Sequence, residues 1–175
     1  MKSGVILGLS VVSVLALGGC APSDSKLNAL SAAGVTQPDA PVKAEVAVQI
    51  TAPPARVWGL LVKAQEWPRW CPQIESVNTS GPLAVGTRFT WKSGGTRIHS
   101  EVHLFEPQHR LSWTGTAFPA HAVHVWDLEP TPGGGTLVTV SESMDGPLMG
   151  KLFPSDKLAA SERSWLDALK AAAEK

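Results

Sequence analysis

His124 and Glu142 are the residues of this sequence whose chemistry first asks for an account. Each sits in a run that alternates apolar and polar side chains, 120–129 and 136–144, the period of a half-buried strand. The antiparallel pairing that keeps one sheet face apolar sets Trp91 opposite Ile98, Val102 opposite Trp113 and Trp126 opposite Val140. In that register His124 falls opposite Glu142 on the dry face. Two inward ionisable groups are costly unless paired. Such a pair can exchange protons as acid and base, or hold the polar group of a ligand. A hydrogen-bonded structural pair near the sheet rim is the competing reading.

Around this pair the same face gathers Phe89, Trp91, Trp113 and Trp126, joined by Trp165 from the last helix, in a chain that has no tyrosine. Large rings either fill a core or line a pocket, where indoles offer flat apolar surface with an N–H donor. With Ile98, Ser100, Val102, Gly115 and Val140 they form the candidate ligand-binding set. His99, Glu101 and His103 also share a face, but it is the wet one. They read as a solvated surface, and no metal site is expected. Cys71, between Trp70 and Pro72, reads as a buried bystander, since a nucleophilic thiol needs an adjacent base. Gly133 to Gly135 has neither a lysine nor a following helix start, so it reads as a hairpin loop, and no cofactor is expected.

The elements that position these groups follow from the pattern of the chain. Residues 44–50 alternate as a strand, and Pro53 and Pro54 stop it. A helix over 55–64 then starts with Thr51 as its expected cap. A short helix between Trp67 and Pro72 and a strand over 74–79 come next. Five strands joined by hairpin turns follow at 87–92, 96–106, 109–117, 120–129 and 136–144. Leu104, Leu111, Leu128 and Val138 complete the dry face; Arg97, Arg110, Ser112, Thr114, Thr139 and Ser141 extend the wet one. After a helical turn or two within 146–153, a helix capped by Ser155 runs to about Ala173. Its stripe of Leu158, Trp165, Leu169 and Ala172 has only the dry sheet face to pack on.

The amino-terminal end carries a different message. Lys2 precedes an apolar run from about Val5 to Leu17, too short to span a bilayer and flanked as a signal peptide is. Leu17, Gly18, Gly19, Cys20 resembles the lipobox of bacterial lipoproteins. That likeness implies cleavage after residue 19, acylation of Cys20 and anchoring in a membrane of the cell envelope. Ala21 after the cysteine implies the outer membrane, facing the periplasm, in a Gram-negative cell. Residues 20–43, rich in Ala, Ser, Pro and Asp, read as a flexible tether, and 44–175 as one domain. With Cys20 acylated, Cys71 has no thiol partner and no intrachain disulfide can form. Fifteen basic residues balance fifteen acidic ones, so nothing argues for a nucleic-acid partner.

One strand, two helices, six strands and a long final helix is the order of the helix-grip fold. The chain from about Ala44 to Lys175 resembles the polyketide cyclase/dehydrase and lipid-transport family of the START and birch-pollen-allergen-like superfamily. The marks are Ile50 to Pro54 with Val57 and Trp58, the Trp67 and Trp70 pair, Phe105 to Pro107, Leu111 with Trp113, His124 with Trp126, and Glu142, Ser143 and Gly146. The resemblance implies an α+β fold in which a curved antiparallel sheet of about seven strands grips the C-terminal helix around a hydrophobic cavity. It implies a binding or carrier protein for a hydrophobic small molecule or lipid; the chain is expected to be a monomer. The alternative is a cyclase-, dehydrase- or hydrolase-like enzyme that uses His124 and Glu142 in the same cavity. The family shares no catalytic motif, so the fold does not assign a reaction.

Overall fold

The computed structural model describes residues 24–175. The expected signal peptide and lipobox, with Cys20, lie outside them. Among the described residues no helix is long and apolar enough to cross a membrane. The elements are helix α1 (Asp24–Ala32), strand β1 (Val42–Ile50), helices α2 (Pro54–Val62) and α3 (Trp67–Trp70), strands β2 (Ile74–Asn78), β3 (Arg88–Ser93), β4 (Thr96–Glu106), β5 (Arg110–Ala117), β6 (Ala120–Pro130) and β7 (Thr136–Asp145), and helices α4 (Met149–Leu152) and α5 (Ser155–Ala173). The strands form one antiparallel sheet in the order β1-β7-β6-β5-β4-β3-β2. Helix α5 lies across its dry face, beside α2, as the helix-grip fold requires.

The register matches the apolar-face argument at Trp91 with Ile98, Val102 with Trp113, Trp126 with Val140, and His124 with Glu142. It departs past Val102, where a bulge shifts the β4–β5 pairing so that Leu104 faces Ser112 and Phe105 faces Leu111. One extra residue exchanges the two faces. Phe105, not Leu104, therefore packs inward, its ring 5.0 Å from that of Trp58 in an edge-on contact. The caps also differ. Pro53 and Pro154 occupy the N-cap positions of α2 and α5. Thr51 instead donates from its N–H and its hydroxyl to Glu174 Oε1, and the Ser155 hydroxyl accepts from the Lys43 N–H, so both tie α5 to β1.

The largest correction concerns residues 24–43, expected as a flexible tether. Residues 24–41 form α1 and an ordered strap on the outer face of the sheet, and Val42 and Lys43 already belong to β1. Leu27 is buried against Val123 and Val125, the Ser31 hydroxyl bonds that of Ser112 at 2.7 Å, and the Gln37 N–H donates to Ser143 Oγ at 2.9 Å. Val123 and Val125 are the physical reason. They are apolar residues on the nominally wet face of β6, and α1 covers them. Arg110 holds the exit of α1 by pairing with Asp127 and donating to the Gly34 carbonyl at 2.7 Å.

Candidate ligand-binding site

The dry face and α5 enclose an aromatic core centred on Trp67. Its ring centre lies 5.3–6.2 Å from those of Phe89, Trp91, Trp113 and Trp165, mostly edge-on, and its N–H donates to the Leu61 carbonyl. Trp67 had no place in the candidate set, although it is the hub on which the other rings rest. The proline after it, at the start of a four-residue helix, turns it into the core, a tertiary placement with no periodic signal behind it.

Toward the other end of α5 the packing opens into a cavity of about 490 Å³ between the sheet and the helix. Of the candidate set, Trp91, Ile98, Trp113, Gly115, His124, Glu142 and Trp165 line it. Phe89, Val102, Trp126 and Val140 sit in the packed core, and Ser100 is buried with its hydroxyl accepting from Trp91 Nε1 at 3.1 Å, so none of these five is a wall of this cavity. Phe118, Pro119, Leu152 and Phe153 frame the surface end. A second pocket of similar size, about 510 Å³, lies between α1 and the outer face and is lined by mutually engaged polar side chains such as Arg88 and Glu101. His99, Glu101 and His103 belong to that outer face and have separate partners in Thr90, Arg88 and Thr114.

At the cavity floor His124 is gripped from three directions. Its ring stacks on Trp113 with centres 4.6 Å apart, and its Nδ1 is 2.9 Å from Glu142 Oε2. Its Nε2 lies 3.7 Å from Glu162 Oε2, beyond hydrogen-bond length. The side chains of His124 and Glu162 are 3% and 4% exposed, and that of Glu142 13%. Glu162 is the functional residue that sequence reasoning missed. It stands four residues after Leu158 and three before Trp165, so it interrupts the apolar stripe of α5 with a carboxyl. That interruption was its available signal.

The two carboxyls are driven apart in acidity. Burial pushes Glu162 well above the usual carboxylate range, and the neighbouring Glu142 charge and their shared hydrogen bond push it further. Burial acts in the same sense on Glu142, but the charge and hydrogen bond of His124 and the hydrogen bond from Glu162 outweigh it and hold Glu142 below that range. The floor thus combines a carboxylate, a neutral carboxylic acid and an imidazole, an arrangement that can bind a polar group or pass a proton. Cys71 is buried and free, and burial pushes its thiol up to about 11 despite hydrogen bonds from Gln73 and Ile74, so it is no nucleophile at neutral pH.

An antiparallel sheet closed by a long helix over a largely apolar cavity defines the helix-grip fold. The profile of the polyketide cyclase / dehydrase and lipid transport family matches residues 41–174, and the chain belongs to that family. Solved structures share the fold. The hypothetical protein jhp0584 from Helicobacter pylori is 23% identical with a TM-score of 0.65, over 75% of this chain and 86% of that one. Protein CV1439 from Chromobacterium violaceum is 16% identical with a TM-score of 0.63, over 77% of this chain and 99% of that one. DynU16, a protein of the dynemicin biosynthetic locus, is 22% identical with a TM-score of 0.59, over 74% of this chain and 46% of that one. No curated protein matches this chain in sequence.

Proposed function

We propose that this protein is a lipid-anchored envelope protein that binds a hydrophobic small molecule or lipid between its sheet and its last helix and exchanges it with a membrane surface. The observation that carries the reading is the cavity. Its volume falls within the range typical of small-molecule pockets, its walls are largely aromatic and aliphatic, and its three ionisable groups, His124, Glu142 and Glu162, converge. The family's association with hydrophobic ligands supports the same reading.

The mouth supports the exchange step. Phe118 is 94% exposed and Leu152 60%, and both belong to the cavity rim; Leu148, 66% exposed, stands just before α4. Exposed apolar residues gathered in one place mark an interaction surface more often than chance exposure does. A rim that wets poorly in water and well in acyl chains lets a ligand pass between cavity and bilayer without crossing solvent. The lipobox at Leu17 to Cys20 supports a standing position at such a surface.

Organic extraction of protein purified from its native membrane, followed by mass spectrometry, tests the binding step. One apolar species recovered in near-stoichiometric amount is the expected result, and empty protein from a lipid-replete source overturns it. Radiolabelled palmitate incorporated in wild type but not in Cys20→Ser tests the anchor.

A second reading has its own observation. His124 and Glu142 both face the cavity, with room for a substrate beside them, as a cyclase, dehydrase or hydrolase acting by proton transfer requires. A chemically altered ligand among the extracted species would favour it.

A further inference from the structure

The ionisable groups of the cavity are one-sided. Two carboxyls, Glu142 and Glu162, and one imidazole, His124, line it, with neither a lysine nor an arginine. Lys157, beside lining residue Leu158, lies over the ring of Phe153, 5.9 Å from its centre. Two buried carboxyls within hydrogen-bonding reach of each other are a costly arrangement unless something positive joins them. His124 answers for Glu142 through Nδ1, but Glu162 Oε2 and His124 Nε2 are both buried without a hydrogen-bond partner. Trp165 Nε1 is likewise unpartnered at the same cavity, as Trp126 Nε1 is beneath it. Most buried polar groups find partners, so an unpartnered carboxyl oxygen on Glu162 beside an apolar cavity points to a ligand that donates a hydrogen bond; the indole N–H groups are donors themselves and do not bear on that choice.

The walls narrow the choice. Trp91, Trp113 and Trp165 surround the floor, and indole faces attract cations. An anionic head group would meet the Glu142 carboxylate with neither a lysine nor an arginine to offset it, and His124 is already engaged by Glu142 through Nδ1.

We propose that the cavity takes an amphipathic amine, with its apolar body against Trp91, Trp113 and Trp165 and its protonated amino end against Glu142 and Glu162. This rests on the reading of the cavity as a ligand site and names the class of ligand. On binding, the ammonium keeps its proton and Glu162 gives its own to solvent, so one positive charge replaces another and the buried charge balance is unchanged. The Glu162 proton holds the place of the amine in the empty protein, which agrees with the upward shift of that carboxyl. The charged and titratable groups around it are Glu142, His124 and the Cys71 thiol.

The test compares dodecylamine, dodecanol and dodecanoate, equal in chain length and different in head group, by isothermal titration calorimetry on the full chain carrying Cys20→Ser. The expected order at pH 7 is amine, then alcohol, then carboxylate, with the amine favoured by about tenfold or more, the scale of one charge-assisted hydrogen bond. Titration in two buffers of different ionisation heat should show about one proton released per amine bound, and none for the alcohol. Glu162→Gln should abolish that release and cut amine affinity far more than alcohol affinity. Alcohol or carboxylate binding as tightly as the amine, or amine binding without proton release, overturns the proposal while leaving the cavity a ligand site. Failure of all three probes overturns the ligand-site reading itself. The proton count is read on protein with Glu162 intact, so it stands even if the Glu162→Gln variant folds poorly.

Discussion

The imidazole of His124 lies almost flat on the indole of Trp113, with ring centres 4.6 Å apart and planes 10° from parallel. The two residues face each other across β5 and β6, so the contact is a cross-strand pair that fixes the ring plane while Glu142, from β7, fixes its rotation through Nδ1. Removing one partner of a buried pair strands the other. Glu142→Ala and His124→Ala should each destabilise by about 3–5 kcal/mol. The double variant should cost less than their sum by about 0.5–3 kcal/mol in urea denaturation. Strict additivity would show that the pair is not coupled.

The two carboxyls should give stability opposite pH dependences. Glu162 has a raised folded pKa, so the folded state holds a proton that the unfolded chain releases; its contribution is full below the ordinary carboxylate range and is lost as pH rises through the folded value. Glu142 has a lowered one, so its contribution is present above that range and is lost as pH falls through its folded value. Denaturation midpoints followed from acid to neutral pH should therefore fall on the alkaline side in wild type and flatten there in Glu162→Gln. An unchanged slope in the variant would assign the effect elsewhere.

The amino-terminal strap should be part of the folded unit. Leu27→Ala removes a buried side chain over Val123 and Val125 and should cost about 2–5 kcal/mol. Ser31→Ala strands the buried Ser112 hydroxyl, at about 1–3 kcal/mol. Gly34 has φ +67°, and a Cβ there would sit 2.7 Å from the Arg110 guanidinium, so Gly34→Ala should also destabilise. Hydrogen exchange checks the whole segment: amides of 27–33 should be protected together with the sheet. Free exchange over 24–43 would restore the tether.

Filling the cavity should separate binding from folding. Ala122 lines it from β6, opposite Gly115 on β5. Ala122→Phe projects a ring into open space, so it should keep the melting temperature within a few degrees and abolish binding of any apolar probe in fluorescence titrations on the native tryptophans. Undiminished binding would place the ligand outside this cavity.

Periodicity located the β-sheet, the final helix and the His124–Glu142 juxtaposition, because a single dry face admits a single register. It misplaced Leu104, since a bulge is a local insertion that alternation cannot reveal. Glu162 is not legible in the sequence, because its carboxyl resembles any helix-surface charge and only the packing of α5 turns it into the cavity. Residues 24–33 lack amphipathic strength of their own, and their helix is held by the partner surface of Val123, Val125 and Ser112.

The sequence by itself determined the α+β order of elements, the inward aromatic face and the pairing of one histidine with one glutamate, all of them consequences of short-range period and one-sided burial. Only the tertiary structure decided which of those rings pack solid and which border a cavity, that a second glutamate joins the pair, and that the supposed tether is clasped to the sheet. Those outcomes depend on how separate elements meet, and packing between distant segments leaves no period in the chain.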